Sequence, residues 1–198
     1  KEGNERLAEK EKNKINLVYL SNIISSKGIF ELIDAFEALS KTHENIHLNI
    51  AGGYIADEYL SIDKVRKKFE QKISLSNRIT YTGKIFEREK VALLQKSDIF
   101  ILPSYYKSEA FPISIIEAMA CKNAIVTTNY KYLPEVVGEK NGVLVNPKSV
   151  ESLIEGVEIL LNDIEKLRKI QAHNKVEAQN KYSLNQYLKN LNEIVMEK

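Results

Sequence analysis

The sequence predicts a doubly wound α/β domain with a parallel sheet, and two features of the chain support this class. Apolar runs of strand length alternate with segments of helical periodicity along most of the sequence. Most of these runs are continuously apolar, which is typical of parallel strands covered by helices on both faces. Such alternation favours right-handed crossovers within one sheet. The order of the strands is not predicted.

The individual elements follow from the positions of these runs. Six strands are predicted, at 15–20, 46–51, 78–83, 99–103, 124–128 and 142–145. The first two strands flank an amphipathic helix, whose apolar stripe consists of Ile29, Leu32, Ile33, Phe36 and Leu39. Further helices are predicted near 57–73, 88–96, 113–121, 149–182 and 184–197. We therefore expect a charged lead-in at 1–14, one domain at 15–182 and a C-terminal helix within 183–198.

The composition excludes several classes of protein. With 198 residues, of which 43% are hydrophobic and 28% charged, the chain can form an ordinary globular core. Its net charge of +2 gives no electrostatic reason to expect nucleic-acid binding. Cys121 is the only cysteine, which favours a reducing, cytoplasmic compartment, and no apolar run reaches the ~18 residues that cross a bilayer. Because the sequence lacks an initiator methionine, we expect a piece of a longer protein, for which peripheral attachment to the cytoplasmic membrane face stays open.

Glycine, proline and charged residues cluster in the segments that follow the predicted strands. These segments read SNIISSKG after the first strand, GGY after the second, GKIF after the third and PSYYKSEAFP after the fourth. Because ligands of open parallel sheets bind beyond the carboxyl ends of the strands, we expect these segments, including Gly28 and Gly53, to form a binding crevice. The alternative is that they are ordinary turns, which are generally rich in glycine, proline and serine.

Lys27 is notable because it comes immediately before the predicted helix of residues 28–40. The amino end of a helix has partial positive charge and favours anions, so a lysine there is unfavourable by itself. A phosphate group between Lys27 and the helix end would stabilise both. In the alternative, Lys27 is one of many lysines and points into solvent.

The stretch SEAFPISIIEAMAC, from Ser108 to Cys121, places Glu109 and Glu117 around an apolar helix. Pro112 is expected in the first turn of this helix, since its missing N–H would be unpaired there anyway. A segment that is apolar all round is expected to be buried, and an unpaired carboxylate within it would be costly. Both glutamates can then face the crevice, where a carboxylate binds the vicinal hydroxyls of a ribose or a sugar ring. The alternative partner of Glu117 is a lysine of a neighbouring element.

Several other chemistries lack their sequence motifs. The chain contains no G-x-G-x-x-G dinucleotide fingerprint, no G-x-x-x-x-G-K-[ST] P-loop and no G-x-S-x-G elbow of a hydrolase. It has no Asp-x-Asp pair that would hold a divalent cation against a diphosphate, and its histidines are not at metal-ligand spacing. The early strands also end without the acidic cluster that a phosphoacceptor receiver domain needs.

Four segments, in order along the chain, resemble a known family. They read LSNIISSKG, DIFILPSYYKSEAFPISIIEAMAC, AIVTTNYKYLPEVV and NGVLVNP, and within the second Glu109 and Glu117 match an E-x7-E signature. These motifs resemble the carboxyl-terminal domain of retaining glycosyltransferases of the GT-B fold, family 4, and the resemblance covers roughly residues 15–165 in the expected order. The resemblance implies a Rossmann-like domain that is one half of a GT-B fold.

The resemblance also implies a donor site for an NDP-sugar, UDP- or GDP-linked, that works without a metal or another cofactor. Lys27 would contact the diphosphate and stabilise the leaving nucleotide. Glu109 would contact hydroxyls of the transferred sugar, and Glu117 would bind the ribose. The other implied site residues are Ala110, Phe111 and Pro112 around the sugar and phosphates, and Lys84 and Ile85 near the base.

Three positions depart from the family pattern. The family usually has an arginine in the pattern G-R-x-x-x-x-K-G, and here that position is Asn22. A neutral amide can bond to a phosphate oxygen but cannot neutralise it. The usual C-G-x-P after the helix is CKNA at 121–124, and the usual Gly-Gly before Pro-Glu is KY at 131–132. The chain is therefore expected to be a divergent member.

The length of the chain, 198 residues, predicts that it holds only one of the two domains that form the active site of a GT-B enzyme. A GT-B enzyme has a second Rossmann-like domain that holds the acceptor, and this domain would precede residue 1. The present chain is therefore expected to bind donor weakly and to transfer no sugar. The last helix is expected to pack toward the missing domain or, alternatively, on its own domain. Its apolar stripe consists of Leu184, Tyr187, Leu188, Leu191, Ile194 and Val195.

Two other functions stay open from the sequence. Another GT-B enzyme, such as an NDP-sugar 2-epimerase or a phosphorylase, would share the fold, although the E-x7-E series favours glycosyl transfer. The second is a non-catalytic nucleotide-binding module that kept the fold and lost the activity. Asn22 is the residue that favours this second alternative.

Overall fold

Six strands, each parallel to its neighbours, form one sheet. The computed structural model describes residues 14–109, 112–183 and 186. The strands are β1 (Ile15–Leu20), β2 (Ile46–Ala51), β3 (Ile79–Tyr81), β4 (Ile99–Leu102), β5 (Ala124–Thr128) and β6 (Gly142–Val145). Their order in the sheet is β3-β2-β1-β4-β5-β6. The predicted fold class is confirmed, and only β3 and β4 are shorter than predicted.

Helices cover both faces of this sheet. They are α1 (Ile29–Thr42), α2 (Ile62–Ile73), α3 (Glu87–Gln95), α4 (Ile113–Ala120), α5 (Leu133–Val136), α6 (Val150–Leu161) and α7 (Ile164–Lys181). A short 3-10 turn, Ser25–Lys27, leads into α1. α1 packs against α6, while α4 packs against α3 and α7. Right-handed crossovers between parallel strands place α1 on one face of the sheet and α3 and α4 on the other. α6 lies on the face of α1 and α7 on the face of α4, the helices that they contact.

The second helix starts later than predicted. The periodicity predicts a helix over 57–73, but α2 begins only at Ile62. The carboxylate of Asp57 accepts hydrogen bonds from the backbone N–H groups of Tyr59 and Leu60, at 2.9 and 3.0 Å. This turn competes with helical hydrogen bonding, so the segment stays outside the helix.

One predicted helix is in fact two. The segment 149–182 divides into α6 and α7, because the Asp163 side chain caps α7 by accepting a hydrogen bond from Lys166 N at 2.9 Å. α5 is too short for helical periodicity to predict it. The predicted C-terminal helix at 184–197 and the lead-in at 1–14 lie outside the described residues, apart from residues 14 and 186.

The apolar helix α4 is not buried on all sides, which corrects the prediction for this segment. Ile115, Ala118 and Met119 are fully buried, whereas Ile113 is 68% exposed. The side chain of Glu117 is 34% exposed. Because α4 starts at the carboxyl edge of the sheet, its first turn projects beyond the strands, and only one face is covered by the core.

The strand order reverses between β1 and β4, and the loops that follow these two strands are in close contact. The chain proceeds from β1 to one side of the sheet and from β4 to the other, which leaves a crevice beyond their carboxyl ends. Tyr105 N donates a hydrogen bond to Ser26 O across this crevice at 2.8 Å. Gly28 has a φ of +75°, and a Cβ there would lie 2.1 Å from Pro103 O. Only glycine permits this approach of the two loops.

At the opposite edge of the sheet, α7 supplies hydrogen bonds to the residues that precede the strands. The fully buried Asn174 donates to the backbone oxygens of Asn123 and Asn141, at 2.7 and 2.8 Å. Gln171 donates to Asp98 O at 2.9 Å. These bonds satisfy the carbonyls directly before β5, β6 and β4. Periodicity gives no signal of this network, because its closest partners are 33 residues apart.

Gly28→Ala should destabilise the fold strongly, and Gly83→Ala is its matched control. Gly83 has a similar φ of +72°, but a Cβ there would meet nothing within 4 Å. We expect Gly83→Ala to cost about 1–2 kcal/mol from backbone strain alone. Gly28→Ala should cost about 1–3 kcal/mol more, because the added methyl overlaps Pro103. Urea unfolding measures both losses, and equal values would show that Pro103 does not restrict Gly28.

Candidate functional site

A buried ion pair joins the two loops at the reversal of strand order. The Nζ of Lys27, at the end of the 3-10 turn after β1, lies 2.7 Å from each carboxylate oxygen of Glu109 in the loop after β4. The two side chains are only 14% and 5% exposed. The structure thus brings together two predicted site residues that are 82 positions apart in the sequence. The alternative in which Lys27 points into solvent is wrong.

Neighbouring groups hold this pair in place. The buried Ser104 hydroxyl donates to Glu109 Oε2 and accepts a hydrogen bond from Tyr106 N at 3.2 Å. The ring centroid of Tyr106 lies 5.1 Å from Lys27 Nζ, which is within the range of a cation–π contact. At the end of β5, the Thr128 hydroxyl donates to the backbone oxygen of Ser104. Desolvation of a buried carboxylate and ammonium is costly, and these contacts offset part of that cost.

Glu117 is paired with a lysine of a neighbouring helix. One oxygen of its carboxylate lies 2.5 Å from the Nζ of Lys90 on α3, and the two side chains are 34% and 30% exposed. The structure therefore contains the alternative partner that the sequence suggested, except that the pair is partly exposed rather than buried. The assignment of Glu117 to a ribose stays a prediction.

The loops after β1, β2 and β3 also meet at this edge. The backbone oxygen of Asn22 accepts a hydrogen bond from the buried Tyr19 hydroxyl at 2.8 Å, and burial raises the pKa of Tyr19, which keeps it a donor. Ile23 N donates to Gly53 O at 2.8 Å. A Cβ on Gly53 would lie 3.8 Å from Cδ of Lys84, so the exposed Lys84 side chain passes close to Gly53. Asn22, Gly53 and Lys84 thus lie on adjoining loops, as predicted from their positions after the strands.

The other predicted site residues have more varied positions. Ile85 is partly buried and packs against the core. Pro112 directly precedes α4, and its carbonyl accepts a hydrogen bond from Ile115 N at 3.0 Å. Ala110 and Phe111 lie outside the described residues.

The sequence interpretation missed Asp57, which fixes the segment just before Lys27. Its carboxylate accepts hydrogen bonds from the backbone N–H and the hydroxyl of Ser26, at 2.7 and 2.6 Å, in addition to those from Tyr59 and Leu60. Burial by itself would raise the pKa of Asp57, but the hydrogen bonds outweigh burial and lower the pKa below its ordinary value. Its position shortly after a predicted strand could have marked Asp57 as a candidate site residue. The prediction of a helix over 57–73 put it in that helix instead.

The described part of the chain offers no cluster of metal ligands. Within residues 14–109, 112–183 and 186, no three His, Cys, Asp or Glu side chains are grouped so that they could hold a metal ion. The expectation that the site works without a metal stays a prediction. In the same ranges, no helix combines the length and the apolar character that a membrane span requires.

The chain is similar in sequence to a protein family and to known proteins. The family model described as glycosyl transferases group 1 matches residues 2–176. An uncharacterised glycosyltransferase of Methanocaldococcus jannaschii is 33% identical over 170 residues, which cover 85% of this chain and 41% of that protein. This chain therefore spans about two fifths of the length of that relative.

Two solved structures have the same fold. The first is the C-terminal domain of a glycosyl transferase group 1 family protein of Francisella tularensis, with 26% identity and a TM-score of 0.70. The match covers 86% of this chain and 87% of that domain. The second is the HepE protein of Anabaena in complex with UDP and glucose, with 22% identity and a TM-score of 0.78. That match covers 94% of this chain and 49% of the Anabaena chain, and at this identity it shows the fold.

Asp57→Asn should lower stability in a pH-dependent way. The pKa of Asp57 is lowered in the folded protein, so its contribution is present above the unfolded value of about 3.9 and is lost as the pH falls through the folded value. We expect a loss of about 1 kcal/mol at pH 7, because solvent screens hydrogen bonds to a partly exposed carboxylate. Urea unfolding of both proteins at neutral and at strongly acidic pH measures the difference. A difference of the same size at both pH values would contradict the assignment.

Proposed function

Because the chain belongs to the glycosyl transferases group 1 family, we propose that it is the donor-binding domain of a retaining glycosyltransferase. The whole enzyme would move a sugar from an NDP-sugar to an acceptor. The buried pair of Lys27 and Glu109 is the observation that best supports the proposal. It puts a cation and a carboxylate at the reversal of strand order, where open α/β sheets bind their ligands. A second domain would hold the acceptor, consistent with the 49% of the Anabaena chain that this chain covers.

The diphosphate of the donor is expected between Lys27 and the amino end of α1. Among the described residues, no side chain caps this helix end, because the N-cap residue is Gly28. The first N–H groups of the helix and its dipole would therefore favour an anion there. Together with Lys27, they would stabilise the charge that develops on the leaving diphosphate, so the transfer would need no metal ion.

The remaining predicted residues would contact other parts of the donor. The exposed Asn22 side chain could donate a hydrogen bond to a phosphate oxygen without neutralising it, so Lys27 would supply most of the positive charge. Glu117 would accept hydrogen bonds from the ribose hydroxyls, while Lys90 orients its carboxylate. The base would lie near Lys84 and Ile85.

Lys27→Ala should weaken nucleotide binding by about ten- to a hundredfold, the usual loss for a hydrogen bond to a charged group. The measurement is ligand-observed NMR of this chain with UDP, GDP and ADP, followed by titration of the nucleotide that binds. UDP is included because the Anabaena protein was solved with it. Lys96→Ala is the matched control, since Lys96 is an exposed lysine just before β4, at the opposite edge of the sheet. Unchanged affinity of Lys27→Ala, or no binding of any nucleotide to the wild type, would contradict the donor site.

Glu117→Gln should weaken UDP binding while leaving the binding of inorganic diphosphate unchanged, because only UDP has ribose hydroxyls for the carboxylate to bind. Lys90→Gln is the control: it breaks the same ion pair but keeps the carboxylate, and so it should retain most of the affinity for UDP. Isothermal titration calorimetry with both ligands measures the effect. Equal losses for UDP and diphosphate would argue against the ribose assignment.

A further inference from the structure

We propose that Glu109 competes with the donor diphosphate for Lys27, and that this competition makes diphosphate binding depend on the sugar attached to it. The inference rests on the proposed donor site but goes beyond it. It gives Glu109 a role in distinguishing the nucleotide sugar from the nucleotide that is left after transfer.

The geometry of the pair is the first support. Both oxygens of Glu109 lie 2.7 Å from Lys27 Nζ, and the Tyr106 ring covers another side of the ammonium at 5.1 Å. The Lys27 side chain is only 14% exposed, so little of it is accessible for a second anion. A phosphate oxygen and a carboxylate at one ammonium would also repel each other. A diphosphate that binds Lys27 must therefore break the contact between Lys27 and Glu109.

The surroundings of Glu109 determine what this displacement costs. Its side chain is 5% exposed, and a buried carboxylate without partners is strongly unfavourable. The Ser104 hydroxyl can stay bonded to Oε2, because Tyr106 N and the Thr128 hydroxyl fix Ser104 independently of Lys27. The other oxygen, Oε1, has only Lys27 as its hydrogen-bond partner among the contacts found in the described residues. It would therefore need a new donor.

The attached sugar can supply that donor, whereas a bare nucleotide cannot. Sugar hydroxyls donate hydrogen bonds to a carboxylate and would replace the ammonium at Glu109. Binding of the nucleotide sugar thus exchanges one set of partners for another, while binding of the bare nucleotide leaves Glu109 under-satisfied. Once the sugar has been transferred, Glu109 would regain Lys27 and favour release of the nucleotide.

The test compares inorganic diphosphate, UDP and UDP-glucose on the wild type and on Glu109→Gln. The variant keeps the shape of the side chain but removes the competing charge, so we expect diphosphate and UDP to bind about tenfold more tightly. The preference for UDP-glucose over UDP should fall. Glu70→Gln, which removes an exposed carboxylate paired with Arg66, controls for net charge. It should change the affinity for none of the three ligands. Unchanged or weaker binding of diphosphate to Glu109→Gln would overturn the inference.

Failure of this inference and failure of the proposed function give different results. If the wild type binds nucleotide and Glu109→Gln binds it no better, the donor site stands and the competition is wrong. If neither protein binds any of the ligands, both are wrong. If only Glu109→Gln binds diphosphate, the competition is supported in its strongest form.

A measurement on the wild type avoids dependence on the folding of the variant. In protein labelled with ¹³C and ¹⁵N, added diphosphate should shift the NMR signals of both Lys27 Nζ and Glu109 Cδ, because Lys27 gains a phosphate partner while Glu109 loses its contact with Lys27. The signals of Lys181 and Glu177, an ion pair on α7, should not move. A shift at Lys27 with no change at Glu109 would show that diphosphate binds without displacing the carboxylate.

Discussion

The contact between the loop after β1 and the loop after β4 is the constraint on which the carboxyl edge depends. Gly28 approaches Pro103 so closely that no side chain fits between them, and Ser26 accepts a hydrogen bond from Tyr105 across the same point. Lys27 lies in the chain between Ser26 and Gly28, whose backbone positions these contacts fix. The Lys27 side chain is held by its contacts with Glu109 and the Tyr106 ring, both in the loop after β4. We expect a ligand site here, because a reversal of strand order brings together loops from distant parts of the chain.

The stability of the core does not explain why Lys27 and Glu109 form a buried ion pair. Removing two charges from water is costly, and a pair of apolar side chains of similar volume often stabilises a core as well or better. The pair also has partners beyond itself, in the Ser104 hydroxyl and the Tyr106 ring. If the carboxylate of Glu109 exchanges with a ligand, as we propose, the cation suits the binding of an anion attached to a sugar. The proposed function thus explains a feature that stability does not.

The polar groups at the two edges of the sheet have different kinds of partner. At the amino edge, Asn174 and Gln171 on α7 satisfy the carbonyls that precede β4, β5 and β6, so the polar groups there bond to one another. At the carboxyl edge, the pair of Lys27 and Glu109 lies between the loops after β1 and β4, and no side chain among the described residues caps the amino end of α1. Binding is therefore expected at the carboxyl edge, where the exchange of partners is possible.

The sequence by itself determined the fold class, most strand positions and the two residues of the central ion pair, because apolar periodicity and turn chemistry are local properties of the chain. The tertiary structure alone decided which loops meet. Lys27 and Glu109 are 82 residues apart, and Lys90 is 27 residues from Glu117, so neither pairing has a local signal. Asp57 was misplaced because its bonds to the nearby Tyr59 and Leu60, together with those to Ser26 in another loop, outweigh the helical periodicity of its own segment.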